Sequence, residues 1–199
     1  TVTNTNDAGA GSLRDAIAQA NASIADDFID FDPVVFATPQ TIALTSGSLV
    51  IDAAGAGLTV NGPGVQLVKV DAGDAFRVFD SQAPTLNLTG FTVTNGLAAT
   101  ATGGGLRATG IVTVDHMVFD GNVATGTTFI TEGGGGAIAM ASGAFLTVTN
   151  TTISPRPDPD KPRCFGLSAS SVLHAPAHRG GAAPLENRDR TQDRPPSLR

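Results

Sequence analysis

The chain of 199 residues has no Trp, no Tyr and a single Cys. Charged side chains make up only 15 % of it. Each scarcity removes a class of protein. One cysteine, Cys164, excludes a disulfide framework and any CxxC metal pair. No run approaches the ~20 apolar residues of a membrane-spanning helix. A formal net charge of −6 argues against a nucleic-acid partner, because phosphate contacts need clustered Lys and Arg. What the chain has instead is Gly and Thr, a composition that favours short strands joined by tight turns. It opens on "TVTNTNDAG" without a basic-then-apolar leader and reads as a mature or trimmed product.

Charge divides the chain in two. Residues 1–154 carry 4 Lys+Arg against 13 Asp+Glu, a net of −9, whereas 155–199 carry 8 against 5, a net of +3. Proline follows, with 4 before residue 155 and 8 from it onward. The second segment, beginning "PRPDPDKPRCFG", has no period and too little apolar content to offset chain entropy. It is expected to be irregular and disordered, and its abrupt change of composition fits a shift of reading frame.

The first segment repeats. "TLNLTGFTVTNG" from Thr85, "IVTVDHMVFDGN" from Ile111 and "FLTVTNTTIS" from Phe145 share one apolar pattern. Leu86, Val112 and Leu146 correspond, as do Leu88, Val114 and Val148, and then Val93, Phe119 and Ile153. The copies lie 26 and 34 residues apart, a solenoid spacing. Between them run "GGGLRA" from Gly103 and "GGGGAIAM" from Gly133, in which Leu106 and Ile138 correspond. These Gly runs lack the Lys-Ser/Thr of a phosphate loop and open no helix, so they read as corners of a repeat. Upstream, "TIALT", "SLVID", "LTVNG", "LVKV" and "FRVF" are strand-length runs consistent with further coils. The expected fold is all-β, a right-handed parallel β-helix with coils over 41–154.

Residues 1–40 read as an N-terminal cap. In "GSLRDAIAQANA", Leu13, Ala16, Ile17 and Ala20 fall at i, i+3, i+4 and i+7, an amphipathic helix capped by Ser12 or Asp7. Laid across the first coil, it covers apolar surface and unpaired backbone. In "FIDFD", alternation puts Phe28, Asp30 and Asp32 on one face and Ile29 and Phe31 on the other.

The segment containing Ser12, Leu13, Arg14, Ala16 and Ile17 resembles the CSLREA-type N-terminal region of bacterial secreted right-handed β-helix proteins. It departs at Gly11, where the name-giving Cys would sit, and at Asp15, in place of Glu. The later coils resemble the repeats of polymorphic outer membrane proteins. Gly135, Gly136, Ala137 and Ile138 match their GGA-aliphatic motif, and Phe119 to Asn122 ("FDGN") match FxxN. The resemblance covers about the first three quarters of the chain and implies an exported or surface-displayed, adhesin-like protein in an extracellular or outer-membrane setting. Its implied partner is a glycan or another cell-surface ligand.

Chemistry is sparse. Enzymes on parallel β-helices need several carboxylates on neighbouring coils, to bind Ca²⁺ or act as acid and base. Over the three aligned copies, Asp115 stacks with Thr89 and Thr149, Asp120 with Thr94 and Ser154, and Arg107 with Ala139. His116 falls opposite Gly90 and Asn150. From this, no ladder is expected to gather two carboxylates. Asp115, His116 and Asp120 are the best catalytic candidates, against a plainer account as solvated turn and outer-face residues. The acids Asp26, Asp27, Asp30 and Asp32 read as structural, because no EF-type loop follows them. "DAGDAF" from Asp71 is only a fragment of a Ca²⁺-binding nonapeptide. Cys164, His174 and His178 sit in the irregular segment and make no metal site. No cofactor is expected. The leading expectation is a non-catalytic structural or adhesive module. The alternatives are a pectate-lyase-like carbohydrate-active enzyme and a truncated passenger without function.

Overall fold

A computed structural model describes residues 1–53, 56–125 and 136–154, together with the backbone of Leu167–Ser168. The expectations for the segment beyond residue 154, including Cys164, His174 and His178, lie outside the described residues apart from that pair. So do Gly133 to Gly135.

The chain winds as a parallel β-solenoid of about four turns. Its first coil holds β1 (Asp27–Asp30), β2 (Gln40–Ala43) and β3 (Leu49–Ile51). The second holds β4 (Gly57–Asn61), β5 (Val68–Asp71) and β6 (Phe79–Ser81). The third holds β7 (Thr85–Thr89), β8 (Thr92–Thr94), β9 (Leu97–Ala98) and β10 (Leu106–Ala108). The fourth holds β11 (Ile111–Asp115), β12 (Val118–Asp120), β13 (Val123–Ala124) and β14 (Ile138–Met140). A fifth begins with β15 (Phe145–Thr149), β16 (Thr152–Ser154) and the pair β17 (Leu167–Ser168). Three five-stranded parallel sheets result, ordered β1-β4-β7-β11-β15, β2-β5-β8-β12-β16 and β3-β6-β10-β14-β17. The stack therefore already includes β1, upstream of residue 41.

Alternation within each short strand sends one set of side chains inward, and stacking places like positions above one another. Leu58, Leu86, Val112 and Leu146 form one inward ladder; Val60, Leu88, Val114 and Val148 form the next. On the second sheet Ile42, Val70, Val93, Phe119 and Ile153 stack in turn. On the third, Leu49, Phe79, Leu106 and Ile138 do so. Every correspondence drawn from the sequence appears in this register. "FRVF" is the exception in detail, since only its last residue, Phe79, enters a strand. Phe76 and Val78 precede it, and Arg77 turns outward to the loop at Thr102 and Gly103.

The glycines work as expected for corners where two backbones meet. A Cβ on Gly104 would overlap the carbonyl of Gly96 in its own coil and that of Val123 in the following one. Its N–H donates to the Gly136 carbonyl at 2.6 Å. No larger residue permits that approach.

Helix α1 (Leu13–Asn21) closes the first coil. Ser12 is its N-cap, accepting from the Asp15 N–H at 3.1 Å. Leu13, Ile17 and Ala20 are buried and join the continuous core. Asp7, the other candidate cap, has a different task. Its carboxylate takes Arg14 at 2.7 Å and the backbone N–H groups of Thr45 and Ser46 at 3.1 and 2.8 Å. Arg14 in turn donates to the carbonyls of Gly47 and Ser48. Arg14 and Asp7 thus clamp the helix to the β2–β3 connection.

Candidate functional site

Asp115 ends β11 and His116 turns the corner toward β12. His116 has a φ of 48°, and its equivalents in the neighbouring coils, Gly90 and Asn150, have φ of 72° and 46°. The corner demands a left-handed residue, and Gly, Asn and His are among those that tolerate it. This placement explains a lone histidine here without chemistry.

Around Asp115 the polar groups converge. The Thr149 hydroxyl donates to Oδ1 at 2.5 Å and the Asn150 amide to the same oxygen at 2.9 Å. His116 Nδ1 lies 2.7 Å from Oδ2. The Thr149 hydroxyl above all, then His116 and Asn150, hold the Asp115 carboxyl down to about 2, so it is ionised throughout the neutral range. The His116 ring is 66 % exposed, and with Nδ1 engaged its Nε2 is left for solvent. The pair has the contact of a general base with its orienting acid.

A second corner shows what such an acid does in this fold. Asp71 ends β5 and accepts from the Asn95 amide of the next coil at 3.0 and 3.1 Å, and from the Gly73 N–H at 2.8 Å. Asn95 is itself left-handed, with φ of 50°. Asp71 with Asn95 and Asp115 with Asn150 are the same device. In each, a strand-end carboxylate is tied to the left-handed asparagine one coil on. Sequence reasoning missed the device, although an Asp followed one coil and one residue later by Asn is visible in the string.

Asp120 does not join Asp115 and His116. It ends β12, and four residues of extended chain place it about 13 Å from the His116 corner. It stacks on Thr94 and Ser154, as the alignment requires. The same ladder corrects the expectation that no column gathers two carboxylates. Asp71 lies in it, two rungs from Asp120 with Thr94 between. Asp30 and Asp115 likewise share a column, separated by Asn61 and Thr89. The earlier alignment covered only the last three coils. In neither column do the carboxylates occupy adjacent rungs. Among the described residues no group of three or more His, Cys, Asp or Glu gathers to hold a metal ion.

The FxxN match acquires a physical meaning. Phe119 fills the core, and Asn122 is 6 % exposed. Its side chain accepts from the Gly96 N–H at 2.9 Å and donates to the Val93 carbonyl at 2.9 Å. A buried amide satisfied by the preceding coil's backbone is a fastener. Arg107, paired with Ala139 in register, stacks on its other side against Asp80, at 3.5 Å. Asp80 also pairs with Arg77 at 2.9 Å.

No protein family, curated protein or solved structure matches the chain.

Proposed function

We propose that the protein is a non-catalytic structural or adhesin-like β-helix module, exported or displayed at a cell surface. One observation carries the reading: the carboxylate best placed for chemistry, Asp115, is spent on holding one coil to the next, as Asp71 is. The CSLREA-like start and the repeat motifs support export and a bacterial surface setting. No described helix is long and apolar enough to cross a membrane.

A carbohydrate-active enzyme is the second reading, and the 2.7 Å contact between His116 and Asp115 favours it. Incubation with acidic and neutral polysaccharides, with and without Ca²⁺, separates the two. The non-catalytic reading expects no new reducing or unsaturated ends. Turnover that disappears in Asp115→Ala or Asp120→Ala would replace it with the enzyme. Fractionating the producing cell tests the location, and a purely cytoplasmic protein would end the exported reading.

A further inference from the structure

The geometry points to the outer face of β11 and β15 as a binding surface for a neutral, extended polysaccharide, centred on Ile111, Phe145, Thr113, Thr147, Asp115 and His116. The inference rests on the non-catalytic reading and narrows it to one surface and one class of ligand.

Three outward columns cross these two strands. Ile111 stacks on Phe145, Thr113 on Thr147, and Asp115 on Thr149 with His116 at the adjoining corner. Rungs lie about 4.8 Å apart, and columns about 6.7 Å apart along each strand. The first column is apolar and open, with Ile111 52 % and Phe145 56 % exposed. In the second, the Thr113 and Thr147 hydroxyls make no hydrogen bond to other described residues. The third presents the Asp115 carboxylate and the exposed imidazole.

A pyranose ring divides its surface in the same order, with C–H groups on its faces and hydroxyls on its rim. A ring face laid on Phe145 and Ile111 removes apolar surface from water. Its rim then meets the threonine hydroxyls, which donate and accept, and beyond them His116. The Ile111 column carries Gly57 and Thr85 in the two coils before, so its apolar pair is confined to these coils, although Phe28, 68 % exposed, stands on the same face at the first rung of the threonine column. The hydroxyl and amide columns do continue there, through Asn87 and Thr59, so a polymer gains contacts that a single sugar lacks. That suits a shallow face, where each unit binds weakly and repetition supplies the affinity.

Charge selects the class of sugar. Asp115 is ionised, and neither β11 nor β15 contains a Lys or Arg. A uronate or sulfated polymer would meet a carboxylate with no cation in these strands to offset it.

The test is affinity electrophoresis of the full chain through gels containing hydroxyethylcellulose, xylan or galactomannan, with polygalacturonate as the acidic comparator. Retardation is expected in at least one neutral polymer and not in polygalacturonate. It should weaken about tenfold in Phe145→Ala and by less in Thr147→Ala. Migration unaffected by every neutral polymer, stronger retardation by polygalacturonate, or full retardation of Phe145→Ala would each overturn the proposal. If Phe145→Ala fails to keep the parent melting temperature, Thr113→Val, which exchanges the hydroxyl for a methyl, decides in its place: weaker retardation supports the surface and unchanged retardation overturns it. Assaying the same polymers for chain ends keeps the two ideas apart. Cleavage would end the non-catalytic reading and leave the surface standing, whereas neither cleavage nor retardation would remove the surface alone.

Discussion

At its first coil the stack meets a helix whose Leu13 and Ile17 are 0 % and 2 % exposed. At its fifth, Val148 and Ile153 are half-buried, although Val114 and Phe119 one rung below are sealed at 0 %. These residues have the same chemistry and occupy the same ladders. What differs among the described residues is that no strand stacks beyond β15 and β16, although Leu146 on the same rung is still buried at 2 %. In a solenoid each coil buries its inward face against two neighbours, so a rung's contribution depends on its place in the stack as much as on its sequence.

The ladder Leu88–Val114–Val148 allows the sharpest test. Val114→Asp buries a charge with no partner in the middle of the core and should cost more than about 4 kcal/mol, enough to abolish cooperative unfolding. Val148→Asp, in the same ladder at the half-buried rung, should leave a foldable protein. Equal damage from both, read from denaturant midpoints, would show that the two rungs do not differ as described.

Next in size is the cap. Leu13→Ala should lower stability by about 2–5 kcal/mol, and Ile153→Ala at the other end by clearly less. A reversed order would mean that the helix is incidental to the stack.

Between the coils, Asn122→Ala removes both side-chain bonds to the preceding coil and leaves the buried Gly96 N–H without its acceptor. A loss of about 1–3 kcal/mol is expected. Asp120→Ala, an exposed substitution on the neighbouring strand, should stay within about 0.5 kcal/mol. Comparable effects would remove the distinction between fastener and outer-face residue.

The smallest effect is a pH dependence. Burial pushes the Asp7 carboxyl up, but the Ser46 hydroxyl, Arg14 and Thr45 together outweigh it and hold the group well below the ordinary 3.8. A depressed folded value means that the stabilisation is complete above the unfolded value. It is lost as pH falls from about 4 through the folded value. The melting temperature should therefore fall on acidification below about pH 4, with a shallower slope in Asp7→Asn. Asp115, held to about 2 at a more open site, should contribute in the same direction at the opposite end. An unchanged slope in Asp7→Asn would show that the Arg14 clamp is not what acid releases.

The coil register was legible because inward positions must stay apolar on every rung, and Leu86, Val112 and Leu146 preserve that in the string. The helix was legible for the same reason, from Leu13, Ala16, Ile17 and Ala20 at 3.6-residue spacing. Asp7 was not, because its partners at Thr45 and Ser46 lie 38 and 39 residues away, across a connection whose path no periodicity encodes. Asp115 was visible as a candidate, but whether its carboxylate was free depended on Thr149 and Asn150 in another coil. Alternation along a strand is a local property and can be read from neighbours in sequence. The hydrogen-bond partners of an outward side chain, and the exposure of Phe145 beside Thr147, depend on which coil lies above, and only the wound chain decides that.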